Sequence, residues 1–202
     1  MKRVYINTKE DLNNLHCLEE GGECLIVLCN DLDLEGYEIK PINFVNTNVI
    51  FDGNFHSINN LNISLPNSDN VGLFNTIGDS IMIVKDLELC GTVEGRENVG
   101  LVGGLFNGYI NNSRFEGSTV GLNNIGGLVG KSTKKLGINS CELDMEYPSC
   151  SMNLDTINIG YISGNVNELF ISMCTYDVSC EKLSSNYKEI TIKPKKILRR
   201  AK

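Results

Sequence analysis

Apolar residues return along this chain in short runs that keep the two-residue period of a strand, and the runs themselves recur. One series follows apolar-x-x-small/apolar-x-apolar: Ile58-Asn59-Asn60-Leu61-Asn62-Ile63, Val84-Lys85-Asp86-Leu87-Glu88-Leu89, Ile110-Asn111-Asn112-Ser113-Arg114-Phe115, Ile138-Asn139-Ser140-Cys141-Glu142-Leu143 and Ile171-Ser172-Met173-Cys174-Thr175-Tyr176. A weaker copy opens at Cys29 and carries Leu32 and Leu34. A second, independent series is Asn70-Val71-Gly72-Leu73, Asn98-Val99-Gly100-Leu101, Asn124-Ile125-Gly126-Gly127 and Asn158-Ile159-Gly160-Tyr161, with steps of 28, 26 and 34 residues between the asparagines. Internal repeats of this length mean that one supersecondary unit is stacked on copies of itself.

Polar residues between the apolar ones face solvent, glycine and asparagine punctuate each copy as turns, and helix formers are sparse. The pattern predicts coils of three short strands, stacked about 4.8 Å apart so that like lies over like. Its inward ladders would be Ile58/Val84/Ile110/Ile138/Ile171, Leu61/Leu87/Ser113/Cys141/Cys174 and Ile63/Leu89/Phe115/Leu143/Tyr176. The expected fold is all-β, a single parallel β-helix of five to six coils. Thr8 and Asp11 form a capping box with Asp in place of Glu, and open a helix that presents Leu12, Leu15, Cys17 and Leu18 and stops at Gly21-Gly22. The chain then divides into an N-terminal strand and capping helix (1–24), the β-helix (25–180) and a C-terminal cap with a basic tail (181–202).

Composition adds limits rather than a function. At 202 residues, 41% hydrophobic and without tryptophan, the chain can bury a core. Its longest apolar run, Leu25-Ile26-Val27-Leu28-Cys29, falls far short of the ~20 residues that span a bilayer. With no signal-type segment at the start, the expected setting is cytoplasmic, with a cell-surface setting if the sequence is a fragment. The eight cysteines include no C-x-x-C pair and neither His16 nor His56 lies at zinc-finger spacing, so no metal and no cofactor is expected. Cys141 and Cys174 fall on a ladder and behave as small buried hydrophobes.

The net charge of −7 disfavours general binding to phosphate backbones. It divides unevenly: residues 193–202 hold six basic residues and no acidic one, leaving the preceding 192 with a net of −13. The tail reads as a solvated terminus or as an anchor for an acidic partner.

The run Phe51-Asp52-Gly53-Asn54-Phe55-His56-Ser57-Ile58-Asn59-Asn60-Leu61, followed by Asn70-Val71-Gly72-Leu73-Phe74, resembles the opening of GLUG-motif repeat proteins. Asn124-Ile125-Gly126-Gly127-Leu128-Val129-Gly130 matches the repeat nearly letter for letter. The resemblance covers roughly residues 25–180 and implies a right-handed parallel β-helix. Such repeats occur mostly in bacterial surface proteins, adhesins and some secreted peptidases, as stalk or binding modules. Phe55 stands where that family usually has glycine.

Candidate chemistry is sparse. Gly160-Tyr161-Ile162-Ser163-Gly164 misplaces its serine for a nucleophile elbow, and Gly130-Lys131-Ser132 lacks the upstream glycine of a phosphate loop. Asp52 and His56 could pair as acid and base, but read more simply as turn chemistry. Glu88, Glu116 and Glu142 fall near one strand in shifted register, a weak basis for the paired carboxylates of a glycosidase. The 34-residue step implies an insertion of about eight residues around 146–153, and insertions in repeat proteins emerge as loops on one face. Its Tyr147, Ser149, Met152 and Asn153, with Lys195, Lys196, Arg199 and Arg200 of the tail, are the candidate binding residues. The expected function is non-enzymatic binding of a protein or protein–nucleic-acid complex with a basic surface, in its sharpest form an intracellular inhibitor with a nucleic-acid-mimicking acidic body. The alternative is a polysaccharide-binding or polysaccharide-cleaving β-helix. Oligomeric state is open.

Overall fold

The computed structural model describes residues 1–17, 21–151, 158–175, 184 and 189–193. Strand β1 (Lys2–Ile6) is followed by helix α1 (Lys9–Asn13) and one 3-10 turn (Asn14–Cys17). The next coil holds β2 (Gly22–Leu28), β3 (Leu32–Asp33) and β4 (Ile42–Val45), and the one after it β5 (Thr47–Asp52), β6 (Ser57–Ser64) and β7 (Phe74–Ile77). A further coil has β8 (Met82–Lys85), β9 (Glu88–Glu94), β10 (Glu97–Val99) and β11 (Gly103–Leu105). Then come β12 (Gly108–Asn111), β13 (Arg114–Gly121), β14 (Asn123–Gly126) and β15 (Val129–Asn139). The remaining strands are β16 (Glu142–Met145), β17 (Ser149–Cys150), β18 (Ile159–Gly160), β19 (Ser163–Ser172) and β20 (Glu189–Lys193).

Among the described residues every strand pairing is parallel, and each strand pairs with its counterpart one coil away, which makes a β-solenoid. On the first face Val4, Ile26, Phe51, Val84, Ile110, Ile138, Ile171 and Ile192 stand in one register. On the second, Leu32, Ile58, Leu89, Phe115 and Leu143 do the same. Leu87, Ser113, Cys141 and Cys174 form a third stack at the corner between the faces; Ser113, Cys141 and Cys174 each donate to the carbonyl two residues back, at 2.7, 3.3 and 3.3 Å. Both cysteines are buried, as their place on the ladder implies.

Three expectations change. Phe51, not Ile58, lies over Val84; Ile58 stands over Leu89, and Ile63 over Val93. Leu61 pairs with Gly91 rather than topping the Leu87 stack. The copies keep one local shape, since the third position is left-handed in all five (Asn60, Asp86, Asn112, Ser140 and Met173). The turn at Gly53–His56 and a register shift between Ile58 and Leu61 move the first copy to the second face. A full coil also has four strands rather than three, because the Asn-Val-Gly-Leu segment makes a strand of its own before the corner at Gly100–Val102. Finally, the first face stacks eight strands, reaching β1 and β20 outside the expected 25–180 span. Tyr176 lies outside the described residues.

The capping box forms as expected: Thr8 accepts from the Asp11 N–H at 3.2 Å and Asp11 accepts from the Thr8 and Asn7 N–H groups at 3.0 Å. Leu12 and Leu15 are buried.

The asparagine series becomes a hydrogen-bonded ladder. The Asn98 amide donates to Asn70 at 2.8 Å, Asn124 to Asn98 at 2.8 Å and Asn158 to Asn124 at 2.9 Å. Asn70, Asn98 and Asn124 hold left-handed backbone angles, φ 57, 55 and 50°, which asparagine tolerates better than other residues with a Cβ. Next to the ladder, backbone touches backbone. A Cβ on Gly104, Gly130 or Gly164 would come within 2.3 Å of the carbonyl carbon of Asn70, Asn98 or Asn124, so these positions admit glycine alone.

Gly130→Ala should therefore destabilise by about 3 kcal/mol in chemical denaturation, since the neighbour is backbone that has nowhere to move. Replacing Asn98 separates its two roles. Asn98→Ala and Asn98→Gly both break two ladder bonds, but only alanine also pays for the left-handed angle, so it should be the less stable by about 1 kcal/mol.

Candidate binding face

The most distinctive local geometry is the turn between β5 and β6. Asp52 accepts from the Asn54 N–H at 2.9 Å and from the Lys85 ammonium at 2.5 Å, while Gly53 lies against the backbone of Asp86 and Leu87. Asn54 and Phe55 are both left-handed, at φ 50 and 63°. For a bulky residue such an angle is an outlier, and Phe55 is nevertheless 80% exposed. Its N–H is fixed to the Asp86 carbonyl at 2.8 Å.

His56 does not turn towards Asp52. Its Nδ1 is 3.2 Å from Asp31, one coil back, and Asp31 also accepts from the Ser57 N–H at 2.8 Å. The acid–base pair of Asp52 and His56 is not formed, and the turn reading of these residues describes the geometry. The Ser57 N–H, with His56 behind it, holds the Asp31 carboxyl below its ordinary value.

Outward residues of the second face form rows beside this turn. Glu88, Arg114 and Glu142 are in direct register, and Cys90, Glu116 and Asp144 form the next row. The expected shift of Glu116 relative to Glu88 and Glu142 is thus present, and it puts Glu116 and Asp144 on adjoining rungs. The Arg114 nitrogens lie 3.8 Å from Glu88 and 3.7 Å from Glu116, beyond hydrogen-bond length. On the other side of the row is the left-handed corner, where the Asn112 amide donates to Asp86 at 2.6 Å and Lys85 to Asp86 at 2.9 Å. Burial opposes ionisation of Asp86, but the Asn112 amide and the Lys85 ammonium prevail and keep its carboxyl below the ordinary value.

Phe55, Asp86, Glu88, Asn112, Arg114 and Glu142 border a hollow of about 270 Å³. A second hollow of about 430 Å³, with Asn60, Asn62, Cys90, Thr92 and Glu116 in its lining, lies on the same face. Sequence reasoning foresaw a rigid, acidic lateral face and noted Glu88, Glu116 and Glu142 near one strand, but did not single out the residues around Phe55. The signal that could have found them was a phenylalanine in a turn that favours glycine.

The sequence-derived candidates lie elsewhere. Tyr147 is exposed between β16 and β17, and Ser149 is exposed on β17, in register with Val120. The offset between paired coils is 26 at Lys131, 28 at Met145, 29 at Ser149 and 34 at Ile159, so of the eight added residues two fall within β15, one beside Tyr147 and five after Cys150. Met152, Asn153, Lys195, Lys196, Arg199 and Arg200 lie outside the described residues. Ser163 is fully buried and Ser132 is buried on β15, so neither serine of the rejected motifs is presented to a substrate. Among the described residues, no group of three or more His, Cys, Asp or Glu is placed to hold a metal ion, and no helix is long and apolar enough to cross a membrane.

No protein-family model matches the chain. Over 82 residues, 40% of its length, it is 43% identical to Halomucin of Haloquadratum walsbyi, and it spans 1% of that relative's length. The crystal structure of a candidate immunoglobulin A1 protease from Bacteroides ovatus matches 98% of this chain and 79% of the other with a TM-score of 0.62 at 15% identity. That likeness shows the fold alone. The chain is a β-solenoid repeat protein.

Because the folded-state Asp86 carboxyl is the more acidic, its contribution to stability is present above the ordinary value and lost as pH falls through the lower, folded one. Asn suits the left-handed angle at this position, so Asp86→Asn should remain folded while removing one linked proton. Denaturation between pH 4.5 and 2.5, a window about the ordinary carboxylate value, should show a shallower loss of stability in the variant than in the parent chain.

Proposed function

We propose that the chain is a GLUG-type, right-handed β-helical module that binds a macromolecule along its side and does not turn it over. The observation that carries this reading is the register of the second face, which sets rows of polar and charged side chains at a fixed pitch of about 4.8 Å on a backbone that cannot flex without breaking ladder bonds. Preorganised surfaces of this kind bind with little ordering cost. The asparagines, by contrast, are engaged with one another. The match to a stretch making up 1% of Halomucin supports use of such repeats as one segment of a much longer chain, and favours the surface setting over the cytoplasmic one.

A second reading is favoured by Glu116 and Asp144, two carboxylates in register on one face. They suit a protein with a basic surface, including the case of an inhibitor, with the Tyr147–Asn153 segment and the basic tail as additional contacts. Such binding should weaken steeply between 50 and 500 mM salt, roughly the range over which screening shortens from over 10 Å to a few ångströms.

The module reading is tested by incubating the protein with soluble polysaccharides, with and without Ca²⁺, while following both bound fraction and new reducing or unsaturated ends. Saturable binding without product is the expected outcome. Reproducible cleavage of any member would replace the module with an enzyme.

A further inference from the structure

We propose that the hollow beside Phe55 is a site for a neutral oligosaccharide, with the Phe55 ring as the platform for one sugar. The proposal rests on the binding-module reading and adds the ligand class and the residues that hold it. Phe55 is the most exposed large apolar side chain among the described residues. It occupies a φ of 63° that glycine would adopt without strain. Its ring is therefore held out of the core by a backbone that does not favour it, at the rim of a hollow. A flat apolar face at a rim, with a few polar groups converging beside it, is the composition of a small-molecule site.

Those polar groups come in the order a polyol needs. Arg114 stands between Glu88 and Glu142 in register, so a donor is flanked by acceptors along the row. With its nitrogens 3.7 Å or more from the paired carboxylates, the guanidinium can direct N–H groups at a ligand without first breaking a hydrogen bond to them. The Asn112 amide nitrogen is engaged by Asp86, which leaves its carbonyl as an acceptor. Vicinal hydroxyls, each both donor and acceptor, can satisfy this alternation.

Charge decides between ligand classes. Asp86, Glu88 and Glu142 outnumber Arg114 around the hollow. Lys85 engages Asp86, so Glu88 and Glu142 against Arg114 leave one unbalanced negative charge. That charge turns away a sulfated or uronic-acid chain and offers a cationic peptide only a single exposed, solvent-screened contact. A neutral glycan is what remains compatible with both the ring and the row.

The test uses the full chain and four probes, cellohexaose, mannohexaose, maltohexaose and chitohexaose, measured by titration calorimetry, with heparin and oligolysine as charged comparisons. At least one hexaose should bind. Phe55→Gly should weaken it about tenfold or more, the scale of one aromatic contact with its buried area, while the thermal midpoint stays level or rises because glycine relieves the left-handed strain. Phe55→Trp should retain binding, and Arg114→Gln should weaken it. Binding of none of the hexaoses, equal binding by Phe55→Gly, or binding of heparin or oligolysine in their place would each overturn the site. Equal binding by Phe55→Gly would leave the module reading standing, whereas cleavage of a hexaose would remove the module reading itself.

Discussion

The structure depends on one constraint, that each coil must set its backbone N–H and C=O groups against those of the next coil in register. Parallel pairing on every face leaves no freedom to slip: a one-residue shift would turn each inward side chain out. Once Val84, Ile110, Ile138 and Ile171 are aligned, everything between them must close in the same path length or bulge outwards. The corners then need residues that accept left-handed angles, which is why asparagine recurs there. Where two backbones touch, side chains must vanish, hence the glycines at 104, 130 and 164. Burying the asparagine amides would be costly if they were left unpaired; stacking makes each the partner of the next.

The same constraint explains how much could be read from the sequence. Repetition is visible without any alignment, so the class of fold, the cysteines on a ladder, the asparagine stack and the capping box at Thr8 and Asp11 were legible. Absolute register was not. The motif at Ile58 obeys the same local rule as those at Val84 and Ile110, with a left-handed third residue, yet belongs to another face. Periodicity reports what a segment does locally. It does not report how many residues a turn has consumed before the segment begins, and the Gly53–His56 turn was where that sum changed. The location of the added residues after Cys150 escaped for the same reason, because a long step in a repeat does not say where along the coil the excess lies.

The make-up of the candidate face was only partly legible, for a different cause. Sequence reasoning weighed Glu88, Glu116 and Glu142 only as paired catalytic carboxylates, and could not see that Arg114 stands between two of them. Glu88, Arg114 and Glu142 are separated by 26 and 28 positions in the chain and become a row only through strand pairing. The fold also sorts the acidic residues. Asp52, Asp69 and Asp86 are engaged by Lys85 and Arg96 at corners, where they hold turns, while Glu116 and Asp144 are presented outwards. Net charge counts these groups equally. Their position assigns some to structure and some to solvent.

Phe55 brings both arguments to one residue. In a solenoid whose corners mostly carry Asn, Asp, Ser or Gly at positive φ, a phenylalanine at 63° opposes local preference, and among the described residues Met173 is the only other large apolar residue at positive φ. A left-handed angle costs a residue with a Cβ about 1–2 kcal/mol, and here the cost is not recovered by burying the ring. What sustains it is the surrounding over-determination: Gly53 packed against backbone, Asp52 tied to Asn54 and Lys85, and the Phe55 N–H bound to Asp86. Strain held in place by several independent contacts, with an unburied aromatic at its tip, is the pattern expected where stability has yielded to display. These contacts fix the backbone beneath the ring, and a platform carried on a fixed backbone loses less entropy when a ligand settles on it.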